Sequence, residues 1–294
     1  MRGLEGLRAA SLEPAVRASD PAGEILRRGL AVSSYNMLET FLEGRLRELT
    51  SFINQGHVHF ADLPAKLQKS ATRRTLEVAN ARVKRMSESD VRSFVAGVGE
   101  SIAATDGPVN LSVFAWLWQG SNMSAHDYSD ILNSFHVKKP WEAIPQLASR
   151  LRLPAPTVDA YTQLREFANE RHSAAHDSSH HVSNVWIPHS VNLVTKFALI
   201  FDAFASVASL ALRRADISYL EDHDWTAKQI GIRRIQQRSR DWAERTESGK
   251  SAFRVGPDQH AVTVGAASRC KEVDLLIVTN LNDEVIDWSI PSVG

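Results

Sequence analysis

Cysteine is nearly absent from this chain: Cys270 is the only one among 294 residues. An intrachain disulfide is therefore excluded, and a reducing compartment is expected. A net charge is lacking as well, since 34 Lys and Arg balance 34 Asp and Glu. Proteins that coat nucleic acid carry a basic excess, so any RNA contact here is expected through a local patch. Met1 to Ala22 holds Arg2, Glu5, Arg8, Glu13, Arg17 and Asp20 and no uninterrupted apolar core. No secretory signal is read there, and a cytoplasmic location is expected. The most apolar stretch, Leu193 to Leu212, still carries Lys196 and Asp202. Either charge near a bilayer centre would cost about 2.5–3.5 kcal/mol, so the stretch reads as a buried bundle helix and no membrane partner is expected. Gly97-x-Gly99 has no strand before it and is not a phosphate-binding nucleotide loop. No internal repeat and no low-complexity tract is present.

What is there is a globular composition, with 43% hydrophobic and 23% charged residues. That suffices for a real core in one large domain or two modest ones. Leu26, Leu30, Met37, Leu38, Phe41, Leu42, Leu46, Leu49 and Phe52 recur at three- and four-residue steps, predicting a long helix over 22–54. Asp20-Pro21 supplies its cap and first turn, and Gly56 its stop. A basic helical run over 64–87 carries Lys66, Lys69, Arg73, Arg74, Arg82, Lys84 and Arg85. Another helix covers 88–105, with Ser87 as its cap, before Asp106-Gly107-Pro108 breaks the chain. Residues 110–150 read as short helices, Ser124 capping one of them, with Trp116 and Trp118 in the core. Thr157 is a candidate cap for a helix over 157–178, followed by an apolar helix over 185–212. A last helix, rich in Arg and Gln, is expected over 225–246. Beyond Ser248, runs at Val255, Val262–Val264, Leu275–Val278 and Val285–Ile290 look like short strands. The expected fold is thus mainly α: an N-terminal segment 1–21, a helical domain 22–247 and a small C-terminal β-containing extension 248–294.

The segment with chemistry is Arg171-His172-Ser173-Ala174-Ala175-His176, late in the 157–178 helix. His172 and His176 lie about 40° apart around a helix axis, and Arg171 about 140° from His176, with a side chain long enough to curl toward the same end. RNA can be cut by its own 2′-hydroxyl given a proton acceptor, a proton donor and positive charge at the developing phosphorane. Histidine suits either proton role near neutral pH, and arginine grips phosphate oxygens through a planar fork. One Arg with one or two His is a minimal kit, and a two-fold pair of kits would supply acid, base and two cations in one cleft. Other readings of these residues stay open. Arg171 and His176 could simply complement a helix C-terminus. His172, His176, His180, His181 and His189 raise the question of a metal, although one straight helix cannot close a tetrahedral shell with three successive turns. The basic run over 66–85 is either an RNA-positioning face or a solvated helix side. Lys138-Lys139 beside Trp141 pairs charge with an aromatic, as single-strand binders do. Cys270 has no evident catalytic partner.

The pattern Arg-polar-x-x-x-His resembles the motif of HEPN ribonucleases. Leu38-Glu39-Thr40-Phe41-Leu42-Glu43 and Gly120-Ser121-Asn122-Met123-Ser124 make the chain similar to the RiboL-PSP-HEPN-like group of bacterial proteins, over roughly residues 22–215. The resemblance implies a helical bundle that dimerises with its two motifs facing each other. It implies metal-independent RNA cleavage without a cofactor, in toxin–antitoxin or phage-defence settings, with an antitoxin or defence-system protein as a further partner. Carried over, Arg171 would hold the scissile phosphate and His176 would transfer protons. His172 stands where the family more often has Asn, so its assisting role is not fixed by the motif. Two alternatives of other classes remain. One is a non-catalytic interaction module working through the Leu193–Leu212 helix. The other is a nucleotide-binding sensor whose Arg171 and His176 grip a phosphate without cleaving.

Overall fold

The computed structural model describes residues 2–103, 107–120, 122–154, 158–221, 229–249 and 251–293. The N-terminal segment is helical, with α1 (Arg2–Leu12) and α2 (Pro14–Arg17). The helix α3 (Pro21–Asn54) follows, and the Asp20 carboxylate caps it by accepting from Gly23 N at 2.7 Å. Its 34 residues make a rod about 50 Å long. Tyr35, Leu38, Leu42, Leu46, Leu49 and Ile53 are fully buried along one side. The basic run is one helical stretch of α4 (Ala65–Lys69), a five-residue π turn (Ser70–Arg74) and α5 (Thr75–Val83). After it come α6 (Glu88–Ala103), α7 (Ala125–Ser134), α8 (Pro140–Arg150), α9 (Ala160–His176), α10 (Trp186–Arg213) and α11 (Ile217–Glu221). Ser124 and Asp127 form a reciprocal capping box at α7, as the residue types suggest.

The apolar helix α10 is the axis of the bundle. Every residue from Leu193 to Leu212 is buried, Lys196 and Asp202 included. By length and hydropathy α10 could cross a membrane, but its apolar window is wholly enclosed by the rest of the chain. It packs along α3, and α1 lays Leu4 and Leu7 into the same core. The surface of α10 is thus spent inside the fold, which removes it as the docking face of an interaction module.

The helix expected over 225–246 is not formed. Residues 222–228 lie outside the described residues, and the rest are strands β1 (Gly231–Gln237) and β2 (Trp242–Thr246). With β3 (Arg254–Gly256), β4 (Asp274–Thr279) and β5 (Val285–Ser289) they make one mixed sheet in the order β3-β2-β1-β4-β5. The stretch Val262–Val264, expected as a strand, lies in helix α12 (Gln259–Ala267), capped by Asp258 on Ala261 N at 2.8 Å. A crossover of this kind is what lets β4 lie parallel to β1. All six residues of β4 are buried, because the sheet is covered on both faces. Ile232, Leu275, Ile277 and Trp288 join the bundle core, while Ile235, Leu276 and Val278 meet Val262 and Ala266 of α12.

Two observations explain the misreading of β1. Ile232 and Ile235 have helical spacing, yet they serve opposite faces of the sheet. The intervening arginines are buried or half-buried with partners. Arg234 donates to the carbonyls of Arg150 and Leu151, both at 3.1 Å, and Arg233 pairs with the fully buried Glu244. Cys270 borders this sheet, and burial together with Asp274 pushes its thiol up to about 11, so it is not a thiolate nucleophile at neutral pH.

Candidate active site

Helix α9 brings the Arg–His segment to the surface. Thr157, the expected cap, lies outside the described residues; the cap of α9 is Asp159, which accepts from Thr162 N at 2.9 Å and from its hydroxyl at 2.9 Å. These bonds hold the Asp159 carboxyl below its usual range. Leu164 and Phe167 are fully buried, and Phe167 meets Tyr35 of α3 edge-on with centroids 5.0 Å apart. That packing fixes the rotation of α9, so residues 171–176 fall at its free end.

The end of α9 is held by residues that sequence reasoning missed. Arg28 of α3 donates to the carbonyls of Ala174 at 3.1 Å and Ser178 at 3.2 Å, a cation on the last turn of a helix. Its neighbour Arg27 is buried and donates at 2.8 Å to Val182, Val16 and Ala18, tying the loop after α9 to α2. Asp177 accepts from the Ser179 hydroxyl and backbone, which lowers its pKa and turns the chain away from the helix. The signal for the clamp was the Arg27-Arg28 pair inside an otherwise apolar helix pattern.

His172 and His176 come together as the spacing implied. Both are exposed, with ring centroids 4.8 Å apart. Arg171 does not curl toward them. Its guanidinium reaches α3, where Nε lies 3.5 Å from Asn36 Oδ1, and it forms part of the wall of a cavity. Among the described residues no hydrogen bond, ion pair or ring contact joins Arg171 to either histidine. The third histidine of the four-residue series is not on the helix: His180 lies past its end, 3.0 Å from Glu170 Oε1. His181 pairs with Glu24. Among the described residues, no three His, Cys, Asp or Glu are grouped as a metal would require.

Arg171 also stands near a buried acid. Glu39 is buried and accepts from Met123 N, while the Tyr35 hydroxyl donates to Met123 O at 2.6 Å. Burial raises the Glu39 pKa, against the opposing influence of the Met123 N–H and Arg171. An acid at a core position of α3, flanked by Tyr35 and Leu42, was a legible anomaly. The other candidate nucleic-acid features are spent internally in part. Trp141 stacks on Tyr128 and meets Tyr161 edge-on, which occupies its ring. In the basic run, Arg74 donates to Leu117 O at 2.9 Å and to Asp127 at 3.2 Å, and Lys66 to Asn133 at 2.8 Å.

A long helix α3 packed on a buried α10, with an Arg–His segment at the end of α9, defines a helical-bundle protein. The RiboL-PSP-HEPN family model matches residues 9–205, and the chain belongs to that family. No curated protein and no solved structure matches it.

Proposed function

We propose that the chain is a metal-independent endoribonuclease that cleaves RNA by transphosphorylation. The observation that carries this is the pair of adjacent, exposed imidazoles of His172 and His176 with Arg171 beside His172 near the end of α9. In this reading His176 takes the proton of a ribose 2′-hydroxyl as its oxygen attacks the adjacent phosphorus. A second imidazole gives a proton to the departing 5′-oxygen, leaving a 2′,3′-cyclic phosphate and a 5′-hydroxyl. Arg171 supplies charge to the phosphorane oxygens, and His172 assists. Within one chain Arg171 and the histidines diverge, one toward α3 and the others toward solvent. A homodimer with two α9 ends facing each other would complete the constellation, each copy presenting its histidines to the other's Arg171. Toxin–antitoxin or anti-phage defence in the cytoplasm, with an antitoxin or defence-system partner protein, is the setting this activity fits.

The test is cleavage of a mixed RNA pool in EDTA by wild type, His176→Ala and Arg171→Ala. The expected result is cutting by wild type, with cyclic phosphate ends, and loss of at least a hundredfold in both variants while their folded state is kept. Cutting that disappears with the chelator and returns with a divalent metal would overturn the mechanism.

A further inference from the structure

A cavity of about 770 Å³ opens where Arg171 meets α3, walled by α5, α6 and the segment before α7. Its lining holds two chemically distinct sets of groups. One is aromatic: Phe94 of α6 and Phe114 lie with centroids 5.4 Å apart, and Trp118 joins them in the wall. The other is charged, with Arg82, Arg85 and Arg171 outnumbering the carboxylates of Glu39 and Glu43. Arg82 is already engaged, 5.2 Å over the Phe114 ring and 3.6 Å from Glu43. Arg85 is exposed, and its side chain has no hydrogen bond or ion pair among the described residues. Among the described residues the Arg171 side chain has one hydrogen bond, of 3.5 Å, to Asn36, and it stands near the Glu39 carboxyl. Two guanidinium forks are therefore open to a ligand.

Each simple ligand satisfies one set only. An inorganic anion would use the forks and leave the rings bare. An apolar molecule would cover the rings and strand the cations without solvent or partner, which costs free energy. A nucleotide fits both: its base is a flat π surface, worth about 1–3 kcal/mol when stacked on an aromatic side chain, and its phosphate matches a guanidinium fork. The volume lies within the range of roughly 300–1,000 Å³ usual for small-molecule sites. Glu39 in the same wall spends one carboxyl oxygen on Met123 N, and its second has no hydrogen bond among the described residues.

We propose that this cavity binds one nucleotide unit, with the base among Phe94, Phe114 and Trp118 and the phosphate on Arg85 and Arg171. The unit is either a free nucleotide or a single nucleotide of an RNA strand. The proposal concerns binding and does not require cleavage. Where cleavage occurs, the shared Arg171 places the bound nucleotide next to the cutting site.

The full chain carrying His176→Ala, so that RNA stays intact, is titrated by calorimetry with AMP, GMP, CMP, UMP, inorganic phosphate and a five-nucleotide single-stranded RNA. At least one nucleotide ligand is expected to bind ten times more tightly than inorganic phosphate. Adding Arg85→Glu, a change at an exposed position, should weaken that binding at least tenfold. Adding Phe94→Leu should weaken nucleotide binding and leave phosphate binding unchanged, which decides the matter if the charge reversal perturbs folding. Binding of a mononucleotide as tight as that of the RNA assigns a free nucleotide, and binding of the RNA alone assigns a strand. The proposal is overturned if nothing binds, if inorganic phosphate binds as tightly as every nucleotide, or if both variants bind unchanged. A chain that cuts RNA with both variants unaltered in binding retires the cavity alone. One that binds through Arg85 and Phe94 but never cuts retires the ribonuclease alone.

Discussion

Asp202 joins the bundle to the sheet, and its removal should be a costly polar change. Its side chain sits on the buried face of α10, where Oδ1 accepts from Arg45 Nε at 2.7 Å and from the Ser206 hydroxyl at 2.6 Å. Oδ2 accepts from Trp288 Nε1 of β5 at 2.9 Å. Asp202→Ala leaves the Arg45 guanidinium, only 13% exposed, with the exposed Glu48 as its remaining counter-charge and strands the indole N–H. Removing one member of a buried ion pair costs about 3–5 kcal/mol. A typical domain has about 5–15 kcal/mol in total, so the variant should be marginal. Asp202→Asn keeps one acceptor oxygen and should lose about 1–3 kcal/mol, and Trp288→Phe, which keeps the ring buried, a similar amount. Urea unfolding followed by far-ultraviolet circular dichroism and by tryptophan fluorescence measures all three. The two probes should shift together, because Trp288 belongs to the bundle core. In the double variant Asp202→Ala/Trp288→Phe, the two losses should overlap by more than about 0.5 kcal/mol. A loss under 1 kcal/mol for Asp202→Ala, or strictly additive losses, would refute the assignment.

The remaining predictions address other buried polar groups and the close approach of two helix ends. Lys196 is buried on α10, its ammonium 2.7 Å from Gln163 Oε1, and burial lowers its pKa below the ordinary 10.5. The unfolded chain then holds this proton more readily, so wild-type stability should rise as pH climbs from the folded value toward 10.5. Lys196→Met should abolish that rise and gain about 1 kcal/mol at neutral pH in urea melts. Glu39 is the opposite case: burial raises its pKa above the ordinary 4.5, so stability should fall as pH rises from 4.5 through the folded value. Glu39→Gln should match wild type in Tm near pH 4 and exceed it near pH 7. Arg27→Met removes three donors from buried carbonyls and should cost about 2–4 kcal/mol, with faster hydrogen exchange in residues 177–185. Gly56→Ala should cost about 1–3 kcal/mol in the same melts, because an added Cβ would collide with the backbone of Arg213 at the end of α10.

The sequence by itself determined those elements whose stabilising contacts repeat at short range. The span of α3 follows from its apolar steps and its Asp-Pro start. The capping box at Ser124 and the adjacency of His172 and His176 need only helix geometry, and β4 needs only an unbroken apolar run. Tertiary structure decided the rest. Strand β1 was illegible because its arginines find their partners only in the folded chain, Arg234 in carbonyls at the end of α8 and Arg233 in Glu244 of the neighbouring strand. Val262 and Val264 favour a strand locally, yet the cap at Asp258 and the apolar face of the sheet recruit them into a helix. The candidate site divides in the same way. The motif placed three residues near the end of one helix, while the direction of Arg171, the clamp made by Arg28 and the aromatic cavity beside them depend on α3, α6 and the segment before α7. Local periodicity specifies which face of a helix is apolar; only packing specifies what the polar side chains on the other face will meet.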